Sequence, residues 1–148
     1  MKRYSETPPK VFICSPLRPY GETEEEKRKD LHRNKQLARL ACRYAVEHGY
    51  MPMAPHLYFT QFMDDADPQD RENGIRYGLK WLEDCEEIWV IERRITEGMK
   101  REIAVARKRG MREKHFVISL RPEERLLNDL IGECFVEMYR TDARKTFD

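Results

Sequence analysis

Glu102 has the most informative surroundings of any carboxylate in the chain. It lies in Ile95-Thr96-Glu97-Gly98-Met99-Lys100-Arg101-Glu102-Ile103-Ala104. Gly98 lets the backbone approach a ligand closely. The helix expected to begin there offers free N–H groups and a positive dipole end. Met99, Ile103 and Ala106 follow at steps of four and three and mark an apolar stripe. Glu102 is three after Met99 and four before Ala106, so it borders that stripe, while Lys100, Arg101, Arg107 and Lys108 lie farther round. A carboxylate beside the buried face of a helix whose N-terminus points at a cleft is a candidate nucleophile or base. Placement for the macrodipole, or a pair with Lys or Arg, explains an early-helix Glu equally well on helical geometry alone.

Two further loops hold candidate groups. In Cys14-Ser15-Pro16-Leu17-Arg18-Pro19-Tyr20-Gly21, Ser15 offers a hydroxyl and Arg18 a fork of donors, a combination suited to a phosphate or a sugar hydroxyl. A Pro-stiffened turn with a surface arginine is the competing reading. His56 closes Pro52-Met53-Ala54-Pro55-His56 as a donor or proton carrier, or as a satisfied structural histidine. Tyr58, Phe59 and Phe62 supply rings that could stack on a base or anchor the loop. Asp64, Asp65 and Asp67 follow. Asp67 is explained as a helix cap, whereas Asp64 and Asp65 are candidates for a general acid or for contacts to sugar hydroxyls, with a solvated acidic turn as the default. Neither a calcium-loop spacing nor a zinc spacing is present, and GxGxxG and GxxxxGK are both missing, so no metal and no cofactor are expected.

These residues need a scaffold, and composition bounds it. The 148 residues fit one compact domain. Lys+Arg number 28 and Asp+Glu 27, a net charge of +1, which argues against a general nucleic-acid binder. Six Phe, two Trp and seven Tyr argue against disorder. Apolar runs such as Val11-Phe12-Ile13-Cys14 are too short to span a bilayer, and MKRYSETPPK has no apolar core of a signal peptide. Cys14, Cys42, Cys85 and Cys134 form no CxxC pair and read as reduced core thiols of a cytoplasmic protein.

Strand and helix signals alternate along the chain. Val11–Cys14 reads as a buried strand. Thr23-Glu24-Glu25-Glu26 is a capping box, and the helix it opens carries Leu37, Ala41, Tyr44, Ala45 and His48 on one stripe and ends at Gly49. Tyr50–Ala54 is a second strand whose Pro52 points to an edge or early position. A loop then runs to about Pro68, long enough to suggest a lid. Asp67-Pro68-Gln69-Asp70 caps a helix to about Cys85 with Ile75, Leu79 and Leu82 inward. Ile88–Ile91, a helix over about Gly98–Arg109 ending at Gly110, and His115–Ile118 follow. Pro122-Glu123-Glu124 opens an expected last helix with Leu126, Leu127, Leu130, Ile131, Phe135 and Met138. Such alternation predicts an α/β sandwich: a parallel sheet of four to five strands, helices on both faces, and a C-terminal helical extension over about 121–148. Ligands bind such sheets beyond the carboxyl ends of the strands, where the four loops 15–21, 55–67, 92–98 and 119–121 fall.

The segments VFICSPLR, GYMPMAPH, CEEIWVI and ITEGMKREIAVARKRG, in this order over about residues 11–118, resemble the nucleoside 2-deoxyribosyltransferase-like superfamily, in an uncharacterised branch. The resemblance implies a small flavodoxin-like fold. It implies that Glu102, from the G-x-x-x-E helix start, attacks the anomeric carbon of a nucleoside or nucleotide and forms a covalent glycosyl-enzyme, which a second base or water resolves. It implies that Ser15, Arg18 and Gly98, with His56, Tyr58, Thr96 and Met99 around them, hold the substrate, that the partner is a small nucleoside or nucleotide, and that subunits of a homo-oligomer complete the site. Three positions depart from the pattern. Phe12 stands where the transferases carry a positioning Tyr, Thr96 where they carry an Asp, and Glu86 where related chains often have Asp. These departures raise the alternative of a nucleotide-binding or sequestering protein without turnover, and beyond it an interaction module that uses the frame as scaffold.

Overall fold

The computed structural model describes residues 7–119 and 137–141. Its elements are β1 (Lys10–Cys14), α1 (Glu24–Glu47), β2 (Met51–Met53), α2 (Pro55–Phe59), α3 (Pro68–Glu83), β3 (Glu87–Ile91), α4 (Glu97–Lys108), β4 (Arg112–Ser119) and β5 (Glu137–Thr141). The five strands form one sheet in the order β2-β1-β3-β4-β5. The first four are parallel, and β5 runs antiparallel to β4. This is the doubly wound, flavodoxin-like order.

The faces follow from the two-residue repeat of each strand. Phe12, Cys14, Ile88 and Val90 pack against Leu82 of α3 and Met99, Ile103 and Ala106 of α4. Val11, Ile13, Trp89, Ile91 and Phe116 pack against Ala41 and Ala45 of α1. Helix α1 therefore covers one face, α3 and α4 the other. The chain changes faces between β1 and β3, whose carboxyl ends splay their following loops apart and leave a crevice there.

The caps form where the sequence places them. The Thr23 hydroxyl accepts from the Glu26 amide, and the Glu26 carboxylate accepts in return from the Thr23 amide. Asp67 caps α3 with Pro68 at its first position. Gly49 and Gly110 end α1 and α4 at φ 83° and 70°, a region that strains any side chain.

Four expectations need correction. The stretch after Pro55 is not a plain loop: Pro55 takes the first position of α2, so the segment's length is accounted for by structure and gives no reason of its own to infer a lid. His48 does not join the buried stripe of α1; it is exposed and stacks on Tyr44 at 3.9 Å. Strand β4 begins at Arg112, three residues before the apolar run, because its charged residues alternate between ion pairs on opposite faces. Met138 and Tyr139 lie in β5 and not in a last helix. The rest of that expected helix, Cys134 and the loop residues 120–121 lie outside the described residues. Cys14, Cys42 and Cys85 are free thiols, as expected. Among the described residues no helix is long and apolar enough to cross a membrane, and no cluster of ligating side chains could hold a metal.

Candidate active site

A cleft of about 270 Å³ opens at the crevice between the carboxyl ends of β1 and β3. Ser15, Thr96 and Met99 form its buried floor. His56, Phe59 and Glu102 are half-buried, and Arg18, Asp65, Arg71 and Arg101 stand exposed at its rim.

Glu102 sits on the second turn of α4, where the buried Met99–Ile103–Ala106 stripe carries it toward the sheet. The Cys14 thiol at the end of β1 is its one hydrogen-bond partner among the described residues, with Sγ 3.7 Å from Oε1. Among the described residues no lysine or arginine pairs with it. Burial therefore dominates, and it pushes the carboxyl up to about 8 against a smaller opposing effect of the thiol. This carboxyl is mostly protonated at neutral pH. Cys14 is itself fully buried and raised well above an ordinary thiol by burial and by the neighbouring Glu102; it is a poor nucleophile. Phe12, two residues earlier on the same face, belongs wholly to the core.

Ser15 Oγ and His56 Nε2 share a hydrogen bond of 2.8 Å. Burial lowers His56 to about 4, so the pair is neutral at physiological pH. His56 orients the serine hydroxyl and is not a proton carrier near pH 7. Thr96 has a local duty: it is the N-cap of α4, and its hydroxyl accepts from the Met99 amide at 3.2 Å. Gly98 and Met99 line the cleft at that helix start.

The acidic turn divides. Asp65 lines the cleft, but Asp64 does not; its carboxylate accepts from the Ala66 amide at 2.9 Å and builds the turn. The aromatic cluster divides in the same way. Tyr58 is 49% exposed and faces away from the cleft, packed on Phe59, Phe62 and Trp81 at centroid distances of 5.2–5.4 Å. Phe59 is the ring that lines the cleft.

Asp30 of α1 anchors the rim loop. Its carboxylate accepts from the Tyr20 amide at 2.8 Å and pairs with Arg94 at 2.6 Å and Arg93 at 3.0 Å. Arg94 also donates to the Arg18 carbonyl at 2.8 Å and lies 4.1 Å from the Tyr20 ring centroid. This clasp ties the loop bearing Arg18 to the loop that leads into α4. Gly21 completes it, since a Cβ there would come within 2.7 Å of Glu26 Cβ and 2.9 Å of the Lys27 amide nitrogen. The Arg94 hydrogen bonds hold the Asp30 carboxyl well below the usual carboxylate range. Asp30→Asn is expected to cost about 2–3 kcal/mol of stability at pH 7, measured by urea unfolding, with faster hydrogen exchange at the Tyr20 amide. A folded-state pKa below the unfolded one adds stability above the unfolded value and loses it on acidification. The gap between the two proteins should therefore narrow below about pH 4.

Residues 9–116 match the model of a family described as a domain of unknown function, DUF7768. The chain belongs to the DUF7768 family. The match starts just ahead of β1 and ends within β4, so the elements that build the cleft of this DUF7768 domain lie inside it. A solved structure of the 2-deoxyribosyltransferase from the psychrotolerant bacterium Bacillus psychrosaccharolyticus is similar over 73% of this chain and 72% of its own, at 15% identity and a TM-score of 0.48. No curated protein matches the chain.

Within the DUF7768 cleft, the structure brings together Ser15, Arg18, His56, Asp65, Thr96, Gly98, Met99 and Glu102 of the expected residues. It leaves Tyr58 and Asp64 outside. Of the three rings it selects Phe59, and it adds Arg71, at the start of α3, and Arg101, one residue before Glu102.

Proposed function

We propose that the cleft binds a nucleoside or nucleotide and that Glu102 breaks its N-glycosidic bond. One observation carries this reading. Glu102 is a half-buried carboxyl at the switch point of the sheet, with no cation beside it to repay its desolvation. A structural role gives no reason to keep a glutamate there, while a reacting carboxylate needs this position. The motif resemblance assigns the same residue. In the reaction, an ionised Glu102 oxygen bonds to C1′ as the C1′–N bond breaks, and the electron pair leaves with the base. The base takes up a proton from solvent at the open rim of the cleft. Water or a second base then displaces Glu102 from C1′ and restores the carboxylate. The neutral Ser15–His56 pair and the amides at the start of α4 orient the sugar.

The protonation of Glu102 supports a second reading, a binding protein without turnover, because a neutral carboxyl donates a hydrogen bond but does not attack. The pH dependence separates the two. Incubating the protein with nucleosides and their monophosphates and following free base by chromatography should give a kcat/KM that rises between pH 6 and 9 and levels off above about pH 8, as Glu102 loses its proton in the free enzyme. Ligand bound by calorimetry but recovered intact at pH 9 would establish the binding protein. A rate that falls over the same range would make Glu102 an acid and not the nucleophile.

A further inference from the structure

We propose that the cleft takes a phosphorylated ligand, a nucleoside 5′-monophosphate in preference to a free nucleoside, and that Arg71 and Arg101 join Arg18 in holding the phosphate. The nucleoside part rests on the function proposed above; the anion site rests on the following observations. Arg18 comes from the loop after β1, Arg71 from the first turn of α3 and Arg101 from the start of α4, and all three line one cleft. Arginines beside them are spoken for, since Arg93 and Arg94 pair with Asp30 and Arg107 with Glu113. The side chains of Arg18, Arg71 and Arg101 make no hydrogen bond or ion pair among the described residues, and they are exposed.

The carboxylates of the rim offset this charge only in part. Glu97 is met by Lys100 at 3.3 Å, whereas Asp70 accepts from the neutral Asp64 amide at 2.9 Å and keeps its charge. Asp65 and Asp70 are then two carboxylates against three guanidinium groups, and neither is paired with a cation among the described residues. Below the rim the groups are uncharged at neutral pH: the Ser15–His56 pair, the Thr96 cap and the protonated Glu102. An anion placed on the floor would face Glu102 as that group ionises for attack, whereas at the rim it meets three guanidinium forks, which suit phosphate geometry. A ligand with a neutral reacting end and an anionic far end matches this gradient.

Calorimetry on the full chain tests the proposal, with the common nucleosides and their 5′-monophosphates, and with ribose against ribose 5-phosphate. The monophosphates should bind at least about tenfold tighter than the nucleosides, and that advantage should shrink as salt rises. Arg71→Gln and Arg101→Gln should each cost about fivefold or more for monophosphates and less than twofold for nucleosides. Arg71→Lys and Arg101→Lys, which keep the charge and lose the fork, should fall between. Equal affinity for both ligand types, equal losses in the variants, or no binding of any phosphorylated ligand would each overturn the proposal. Monophosphates bound tightly but never cleaved would remove the glycosidic function and leave the anion site standing. Nucleosides and monophosphates cleaved with equal kcat/KM would do the reverse.

Discussion

Glu102→Gln should give a protein with no glycosidic turnover and with higher stability than the wild type at pH 8–9. Gln keeps the shape of the neutral carboxyl but has no oxygen able to bond to C1′, so chemistry stops while ligand affinity stays within about tenfold. The stability gain follows from linkage. The folded-state carboxyl holds its proton to about pH 8, whereas a free glutamate releases it near 4.5. Between those values the folded state binds more protons than the unfolded state, so wild-type stability falls as pH rises. Gln carries no such burden. The variant's advantage should be small at pH 5, grow through pH 8 and level off at about 5 kcal/mol. Urea unfolding of both proteins at pH 5, 7 and 9 checks it. A flat difference across that range would mean that Glu102 is not held protonated, and the proposed cost of keeping it there would vanish.

The second large effect has the opposite sign. Glu113 of β4 receives two hydrogen bonds from Arg107 at 2.8 Å and lies 2.6 Å from His115 Nε2, while His115 Nδ1 faces Glu92 at 2.7 Å. Burial pushes Glu113 up, but the bonds from Arg107 and His115 outweigh it and bring the carboxyl down to about 2. Glu113→Gln leaves Arg107 and His115 buried against a neutral amide. The expected loss is about 3 kcal/mol at pH 7. The wild-type advantage is fully present above the unfolded pKa near 4.5 and is lost as pH falls through 2, so the two proteins should converge in strong acid. Thermal unfolding at pH 7, 4 and 2.5 is the measurement. The two carboxyls thus lie on the same side of the sheet, with pH slopes of opposite direction.

The physical difference between those two glutamates was only half visible in the sequence. Glu102 could be found because Gly98 and the Met99–Ile103–Ala106 stripe fix its place on a helix by local rules. Glu113 could not, because Arg107 reaches it from α4, whose apposition to β4 is tertiary, and the two-residue spacing to His115 has meaning only once β4 is known to begin at Arg112. Asp30 was missed for the same reason, with Arg93 and Arg94 distant in sequence. The capping box of α1, the Asp67 cap of α3, the edge position of β2 and the alternation of elements were legible because each depends on neighbours a few residues apart. The α2 turn was legible in principle, since Pro55 suits a first helical position as well as a strand stop. Once α2 forms, its 3.6-residue repeat turns Phe59 toward the cleft and Tyr58 away. Arg71 and Arg101 read as ordinary solvent-facing charges until the loops between them and Arg18 were folded into one rim.

Pro52 has a consequence for how copies of this chain meet one another. Strand β2 is the outer strand, and the Met51 amide is turned inward to the Pro9 carbonyl at 2.9 Å. In a parallel ladder the next residue turns its backbone outward, and here that residue is a proline with no N–H to offer. The strand is also only three residues long. A passing extended chain therefore finds too few donors on this side of the molecule to extend the sheet, which guards against fibrous growth at high concentration. Any association that uses this flank must proceed through side chains rather than through a continued backbone ladder.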